Sequence, residues 1–380
     1  MALIIDRGGP VAEAISGGPE VLESLASEWA QLCNEAGRDQ NPFCRPEWII
    51  AYTQAYDLKQ ILLVTARVNG RLRAVLPLVR ERGNMWGVPA RKLCRAAAAD
   101  APRFDLALTG DDSEAAVVVR TLWHCLRDDM SWDVIELAGV PKSAACWWLM
   151  TEAEKDGFPT GYRSSSRTPI ISLTDLPDTG EDPWLARTSH NFRGQLRKKT
   201  RRLQKEGQLR LERFDHATPE VLERYYELER STWKGEKGYD IVSDSRRLRF
   251  YNEIARALER LGYLSIFFLA LDDRLIAGNI CITSGGKLFA LRCAFDPAFG
   301  SYSPGQILIN WVLRDCVARQ LSEFDFMGDD YEYKRHWTSQ TLDHGYCYIF
   351  RRGLFGRALH ALKFRVVPLG RTLFRRPLPG

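Results

Sequence analysis

Several features that define other protein classes are missing from this sequence of 380 residues. No apolar run reaches the roughly 18 residues of a membrane-spanning helix, and the opening Met1-Ala2-Leu3-Ile4-Ile5-Asp6 meets an acid too early for a signal-peptide core. The nine cysteines form no C-x-x-C pair and no cluster with histidines at metal-ligand spacing. We therefore expect a cytoplasmic protein with reduced, mostly buried thiols and no metal site.

The signatures of several reaction classes are missing as well. The sequence contains no G-x-S-x-G, no G-x-x-x-x-G-K-[ST], no G-x-G-x-x-G and no H-E-x-x-H. These absences disfavour a serine hydrolase, a P-loop NTPase, a dinucleotide-binding enzyme with the usual glycine-rich motif, and a zincin. With 45% hydrophobic and 27% charged residues, the composition is that of an ordinary globular protein, and the length suits two or three domains.

Acidic residues are missing from two segments, although the whole chain has a net charge of only +5. Residues 191–205 carry seven basic residues and no acid, and residues 344–380 carry eight basic residues and no acid. The rest of the chain holds 48 acids against 38 bases, a net charge of −10. Such asymmetry indicates an anionic partner, which can be cofactor phosphate, nucleic acid or a membrane surface, unless the two segments are simply solvated helix faces.

Hydrophobic periodicity predicts the same order of elements in both halves of the chain. After helices over Pro19 to Ala36 and Glu47 to Tyr56, a hairpin with an Asn69-Gly70 turn precedes a helix over Ser113 to Arg127 and a strand from Trp132. A hairpin over 264–282, a strand over 288–295, a helix over 305–319 and a strand over 323–327 follow in the second half. We infer an internal duplication of one α/β unit.

This duplication predicts the domain organisation. Residues 1–160 form an N-terminal lobe with a helical start, 161–190 form a boundary rich in Gly, Ser, Thr and Pro, and 191–350 form a C-terminal lobe. Residues 351–380 form a basic amphipathic tail. Its apolar residues either pack on the second lobe or lie on an anionic bilayer, which would put the protein peripherally at the inner membrane surface.

The best candidate anion site is the start of the helix at Ser303-Pro304-Gly305-Gln306. Free backbone N–H groups and the helix dipole attract phosphate, and glycine permits its close approach. No acid lies between Asp296 and Asp315, whereas the corresponding helix of the first half begins with acids at 111, 112 and 114. We therefore expect a phosphorylated cofactor in the C-terminal lobe, the alternative being an ordinary N-cap and first turn.

Titratable side chains cluster between 325 and 337, directly after a predicted strand, where α/β sheets usually place ligands. A carboxylate at 325, 329 or 330 or the imidazole of His336 can act as general base, and a tyrosine at 331 or 333 can donate a proton. Lys334 can stabilise a developing oxyanion. The alternative is an amphipathic turn with ordinary salt bridges.

Two further segments complete the candidate site. A basic helix over Ser189 to Gly207 includes Arg197 but only one aromatic residue, which belongs to its apolar stripe, so sequence-specific nucleic-acid binding is disfavoured while phosphate contact is not. A loop over 233–239 offers Trp233, Lys234 and Tyr239 for an acceptor pocket, although a surface turn explains it equally well.

Taken together, these segments resemble the CelD/BcsL-like acetyltransferases of the GNAT superfamily and, more distantly, the FemABX-like peptidyltransferases. The resemblance covers about residues 20–350 and rests on the joint order of short motifs: the basic helix, Trp233-Lys234, Ala277-Gly278-Asn279, Tyr302-Ser303-Pro304-Gly305, Asp325-Phe326-x-Gly328 and Tyr333-Lys334. It implies an α/β fold of tandem GNAT-like lobes, each a mixed twisted sheet flanked by helices.

The resemblance implies transfer of an acyl group, in the first instance acetyl, from acyl-coenzyme A to an amine or hydroxyl, with cell-surface polysaccharide or its precursor as the associated acceptor. Ser303, Gly305, Gln306 and Arg197 would then bind the cofactor, and Trp233, Lys234 and Tyr239 the acceptor. In the catalytic cluster, Asp325 or His336 would remove the acceptor proton, Tyr333 would protonate the leaving thiolate and Lys334 would stabilise the oxyanion or an anionic substrate group.

One departure from the family pattern keeps alternatives open. GNAT relatives mark the pyrophosphate site with [QR]-x-x-G-x-[GA], but alignment on Gly305 places Tyr302 and Ile307 at the flanking positions. An aminoacyl-tRNA-dependent transferase of FemABX type would also use the basic helix. A non-catalytic scaffold that binds an anionic polymer or membrane is the third reading.

Overall fold

The computed structural model describes residues 9–35, 41–85, 87–97, 103–177, 180 and 182–366. The strands in these ranges are β1 (Val11–Gly17), β2 (Ile61–Val68), β3 (Arg71–Met85), β4 (Val88–Arg95), β5 (Ala107–Leu108), β6 (Val134–Pro141), β7 (Thr160–Ser172), β8 (Leu209–Phe214), β9 (Leu264–Leu271), β10 (Arg274–Ser284), β11 (Lys287–Phe295), β12 (Glu323–Asp325) and β13 (Thr341–Phe350). The α-helices are α1 (Pro19–Glu35), α2 (Pro46–Ala55), α3 (Asp112–Asp128), α4 (Cys146–Lys155), α5 (His190–Glu206), α6 (Pro219–Arg230), α7 (Trp233–Glu236), α8 (Ser245–Arg260), α9 (Pro304–Ala318), α10 (Glu332–Arg335) and α11 (Leu354–Ala361). Short 3₁₀ helices cover Pro42–Cys44, Pro183–Arg187 and Pro297–Tyr302, and a π-helical turn covers Leu362–Val366.

The chain forms two compact units. Unit 1 comprises Met1–Thr53, Asp57–Ser165 and Asp343–Gly380, and unit 2 comprises Gln54–Tyr56 and Ser166–Leu342. Each contains a mixed sheet flanked by helices, so the predicted fold class is confirmed.

In unit 1 the strand order is β1-β2-β3-β4-β6-β13, with β5 paired to β3. The predicted hairpin joins β2 and β3, and its turn residues Asn69 and Gly70 have φ values of 50° and 78°. Two consecutive left-handed residues match the twist of the flanking strands, which is why Asn-Gly marks this turn. Strand β4 pairs in parallel with β6, and helix α3 connects them.

Unit 2 repeats this order: the hairpin β9-β10, strand β11, helix α9 and then β12, which lies parallel to β11. Strand β8 pairs with β9, and residues 170–172 of β7 pair with β12. All eight residues of β9 are buried, as expected for a continuous apolar run. Apolar side chains of α5 and α9, including Leu196, Leu203 and Leu308, pack on the sheet in one core.

The structure differs from the predicted domain boundaries in three places. Most of the expected boundary 161–190 is the long strand β7 and a 3₁₀ helix, since Gly, Ser and Thr occupy strand positions there. Residues 343–350, which we assigned to the C-terminal lobe, belong to unit 1 because β13 pairs with β6. The tail through Val366 also belongs to unit 1 and packs there, not on the second lobe; residues 367–380 lie outside the described residues.

Candidate active site

A split between two strands is the central feature of unit 2. Strands β11 and β12 pair in parallel over three residues each, Lys287–Phe289 with Glu323–Asp325. Strand β11 then continues to Phe295, while β12 ends at Asp325. After Phe326, residues Met327 and Gly328 have φ values of 52° and 59°, so the chain turns away from β11 and the predicted strand through 327 ends two residues early. The backbone of β11 beyond Phe289 therefore does not pair with β12, and we call the space between the two diverging strands the cleft.

The turn after β12 is held by buried polar groups. Asp325 is fully buried, and its Oδ1 accepts a hydrogen bond from Met327 N at 2.8 Å. Lys334 is 3% exposed, and its Nζ donates to Met327 O at 2.5 Å and to Asp329 O at 2.8 Å. A Cβ added at Gly328 would lie 3.6 Å from this Nζ. Lys334 thus fixes the shape of the turn and brings its positive charge to the cleft.

Tyr333 meets strand β11 across the cleft. Its hydroxyl neighbours the thiol of Cys293, an exposed residue near the end of β11. The packed surroundings of the phenol, together with this thiol, raise the pKa of Tyr333, so the phenol is protonated at neutral pH. Burial lowers the pKa of Lys334 to about 8, partly offset by the neighbouring Cys293, Asp329 and Asp330.

Helix α9 begins at the same end of β11. A Cβ on Gly305 would lie 3.8 Å from Cδ1 of Phe295, the last residue of the strand. Ser303 precedes the helix in the left-handed conformation and makes no side-chain cap; its Oγ instead lies 2.6 Å from Lys199 Nζ. Gln306 Oε1 accepts from Trp337 Nε1, which ties this first turn to the segment after α10. The N-cap expected from ordinary helix chemistry is therefore replaced by a lysine contact.

The exposed face of α5 is a surface of unpaired cations, which we call the α5 basic face. The α5 basic face contains a hollow of about 450 Å³, which is lined by residues at helical spacing: Gly194, Arg197, Lys198, Arg201, Arg202 and Lys205. Arg202 lies 5.2 Å from the ring of Tyr302. Within the described ranges, Arg197, Lys198, Arg201 and Lys205 have no ion-pair partner. Since Lys199 of the same helix reaches Ser303, this face adjoins the start of α9.

The segment between α6 and α8 is not the flexible loop that we expected. Residues 233–236 form the one-turn helix α7, and Thr232 caps it through Lys234 N. Lys234 Nζ contacts the fully buried carboxylate of Glu229 at 2.9 Å and the carbonyl of Cys293 at 2.7 Å. Arg292 pairs with the same carboxylate at 2.9 Å. The segment is thereby fixed to the strand that borders the cleft.

Aromatic rings project from this segment. Trp233 and Tyr239 are 52% and 58% exposed, and their rings meet edge to face at 6.3 Å. Lys237 Nζ lies 5.5 Å from the Trp233 ring. Arg292 holds the carbonyl of Tyr239 at 2.9 Å, so the platform that these two rings form is anchored to β11.

The structure thus brings the predicted residues into two linked groups. Gly305, Gln306, Tyr333 and Lys334 converge around the end of β11, while Trp233, Lys234 and Tyr239 attach to the same strand through Arg292 and Glu229. Asp325 lies in the core below the turn, and Arg197 lies on the α5 basic face. His336 is exposed and stacks on Phe192 at 5.4 Å, outside the contacts that join Tyr333 to β11.

Sequence reasoning missed four contributors to this site. Cys293 was grouped with the buried thiols, and Lys199 was counted only as one basic residue among seven. Glu229 lies inside an amphipathic helix and carried no local signal. Asn279 pairs with Cys293 across β10 and β11; it is 2% exposed, and its Oδ1 has no hydrogen-bond partner within the described part of the chain. The sequence analysis named Asn279 only within the motif Ala277-Gly278-Asn279 and gave it no role, although a polar residue inside an apolar strand was a further clue.

The described residues contain no cluster of three or more His, Cys, Asp or Glu side chains that could hold a metal ion. None of the helices in these ranges combines the length and apolar character that crossing a bilayer requires.

One protein-family model matches part of unit 2. Residues 190–335 match the family model described as an acetyltransferase (GNAT) domain. The predicted enzyme class, an acyltransferase of GNAT type, is confirmed. No curated protein sequence matches the chain.

Solved structures with this fold cover nearly the whole chain. FemX is 12% identical with a TM-score of 0.58, and the match covers 91% of this chain and 100% of FemX. The C-terminal domain of a putative lysylphosphatidylglycerol synthetase from Agrobacterium fabrum is 11% identical with a TM-score of 0.53, covering 89% and 96%. L-PGS from Bacillus licheniformis is 11% identical with a TM-score of 0.52, covering 98% and 100%. At such identities the likeness shows the shared fold alone.

Proposed function

We propose that unit 2 transfers an acyl group, in the first instance acetyl, from acyl-coenzyme A to an amine or hydroxyl acceptor by direct attack. The observation that carries this proposal is the split between β11 and β12, with an acid-free helix start at one end and Tyr333 and Lys334 across it. Such a split admits an extended thioester arm between the strands.

The donor phosphates bind at the start of α9. Proline at 304 has no N–H, and the amides of 306 and 307 bond Ser303 O at 3.0 and 3.3 Å, so the amide of Gly305 faces an incoming anion together with Lys199. Ser303 and Gln306 shape this turn through their contacts with Lys199 and Trp337. Arg197, on the adjoining α5 basic face, is suited to a further phosphate of the nucleotide.

The chemistry divides between Tyr333 and Lys334. The acceptor attacks the thioester carbonyl carbon, the C–S bond breaks, and Tyr333 gives its proton to the departing thiolate. Its raised pKa keeps that proton available at neutral pH. Lys334 supplies positive charge for the oxyanion while it holds the turn. Because Asp325 is buried and holds Met327 N, we assign it to positioning. Of the two predicted bases this leaves the exposed His336, which would have to reach the acceptor from its stacked position on Phe192.

The acceptor lies beside the platform of Trp233 and Tyr239, with Lys234 and Lys237 next to it. Flat aromatic faces next to cations suit a ring-bearing acceptor that is neutral or anionic. A sugar in a cell-surface polysaccharide or its precursor fits this description, as the resemblance to the CelD/BcsL-like enzymes implies.

Isothermal titration of the whole protein with acetyl-coenzyme A and coenzyme A tests the proposal. We expect saturable binding of both, together with slow release of free thiol from acetyl-coenzyme A when an amino sugar is present. An absence of binding by either ligand to folded protein would overturn the choice of donor.

A second candidate is transfer from aminoacyl-tRNA. The α5 basic face is compatible with it, because a row of four cations without a partner in the described residues suits the phosphates of an RNA backbone. The fold shared with FemX is compatible with this reading. A rise in melting temperature with tRNA and none with coenzyme A would select it over the first candidate.

A further inference from the structure

The C-terminal helix α11 and the π-helical turn after it dock on unit 1 through one side. Leu359 is 2% exposed, and the ring of Phe364 contacts those of Tyr348 and Phe350 on β13 at 5.8 and 6.3 Å. Phe364 also covers Gly161 so closely that a Cβ there would lie 2.2 Å from the ring. This side of the segment belongs to the core of unit 1.

The first turn of α11 carries two adjacent apolar residues that remain exposed. Leu354 is 87% exposed and Phe355 is 47% exposed. Arg352 and Arg357 are exposed next to them and have no partner in the part of the chain that the structure describes. No acid follows Asp343 in the sequence. Exposed leucine and phenylalanine flanked by arginines combine the apolar and basic groups with which a helix lies on an anionic membrane surface.

We propose that this side of α11, defined by Arg352, Leu354, Phe355 and Arg357, docks on the surface of an anionic lipid bilayer. The two apolar side chains would enter the interface between headgroups and acyl chains, while the arginines contact lipid phosphates. A patch of two apolar side chains is far smaller than the roughly 800 Å² per partner of a stable protein interface, whereas a bilayer can receive a shallow insertion. The acid-free sequence after 343 supplies the complementary charge.

Docking in this way is independent of the proposed acyl transfer, because α11 belongs to unit 1 and the candidate site belongs to unit 2. Removing all residues after Gly353 would not test it cleanly, since Leu359 and Phe364 would leave the core. Point variants on the exposed side avoid this problem.

The experiment is cosedimentation of the full chain with vesicles of phosphatidylcholine alone or with 30% phosphatidylglycerol, at low and at physiological salt. The variants are Leu354→Ser with Phe355→Ser, and Arg352→Gln with Arg357→Gln. The matched control, Arg230→Gln with Arg260→Gln, removes the same charge from exposed helix ends of unit 2. Circular dichroism melts establish that each variant is folded.

We expect the wild type to bind the anionic vesicles and to release them as salt rises, since the Debye length falls to about 8 Å. Each α11 pair should weaken binding at least tenfold, and the control pair less than twofold. Failure of the wild type to bind at low salt, or equal losses in the α11 and control pairs, would overturn the proposal. Concentration-dependent dimers that the Leu354 and Phe355 pair abolishes, without any vesicle binding, would assign this side to a second copy instead.

Discussion

Helices α3 and α9 occupy the same place in the order of elements of units 1 and 2, but their first turns differ in charge. At α3, Asp111 Oδ1 accepts from the amides of Ser113 and Glu114 at 3.0 and 2.9 Å, so an acid of the chain already fills the anion position. At α9, Ser303 makes no such cap and Lys199 lies beside it. One helix start is closed by its own carboxylate, and the other is open to a ligand.

The parallel strand pairs differ in a similar way. In unit 1, β6 continues past its three-residue pairing with β4 and is covered on its other edge by β13. In unit 2, β12 stops at Asp325, while β11 continues to Phe295 with β10 paired along its other edge, and this leaves the cleft on the side of β12. The same order of elements therefore yields a closed sheet in one unit and a candidate active site in the other.

The largest expected effect concerns Lys334. Lys334→Met removes the charge at the cleft, and turnover should fall about a hundredfold while the dissociation constant of coenzyme A changes by no more than a few fold. Steady-state kinetics and titration measure the two quantities. Lys142→Met is the control, because Lys142 directly follows the equivalent strand β6 of unit 1. Full turnover in the Lys334→Met variant would show that Lys334 only holds the turn after β12 and takes no part in catalysis.

The next effect sharpens the comparison of helix starts. Gly305→Asp places a carboxylate at the second residue of α9, and coenzyme A affinity should fall at least tenfold, about 1.4 kcal/mol. Ser113→Asp is the matched change at the second residue of α3 and should leave affinity unaltered. Gly110, with φ of 120°, is a poorer control because any side chain strains it. Equal losses in two folded variants would contradict the specialisation of unit 2.

The smallest effect is on stability as pH changes. The pKa of Lys334 is about 8 in the folded protein against an ordinary 10.5, so between these values the unfolded chain binds more protons and stability rises with pH. The test compares the protein that has Lys334 with the Lys334→Met variant, both with Cys293→Ser to remove the neighbouring thiol. The free energy of unfolding of the protein with Lys334, relative to that of the variant, should rise by about 1 kcal/mol between pH 8 and 9. Urea unfolding measures it. If this difference in unfolding free energy does not change with pH, burial does not lower the pKa of Lys334.

Much of the fold followed from local patterns. The strand predicted over 264–271 begins and ends at the same residues as β9 in the structure. The helix predicted over Ser189 to Gly207 corresponds to α5 together with its N-cap and C-cap residues. Strands β1, β4, β5, β7, β8 and β13 were missed, because they are short or because their Gly, Ser, Thr and charged residues hide the period of two. Pairing with neighbouring strands stabilises them, and such long-range pairing leaves little trace in a short window.

The sequence by itself determined the acid-free start of α9, the charge asymmetry and the run of titratable residues after β12, because these depend on composition and spacing. Tertiary structure decided which side chains meet: Lys199 with Ser303, Tyr333 with Cys293, and Lys234 with Glu229. These partners are separated by 104, 40 and 5 residues. The first two contacts arise from the packing of α5 and α10 against one sheet, and the third depends on the burial of Glu229, so periodicity along the chain carries no information about them.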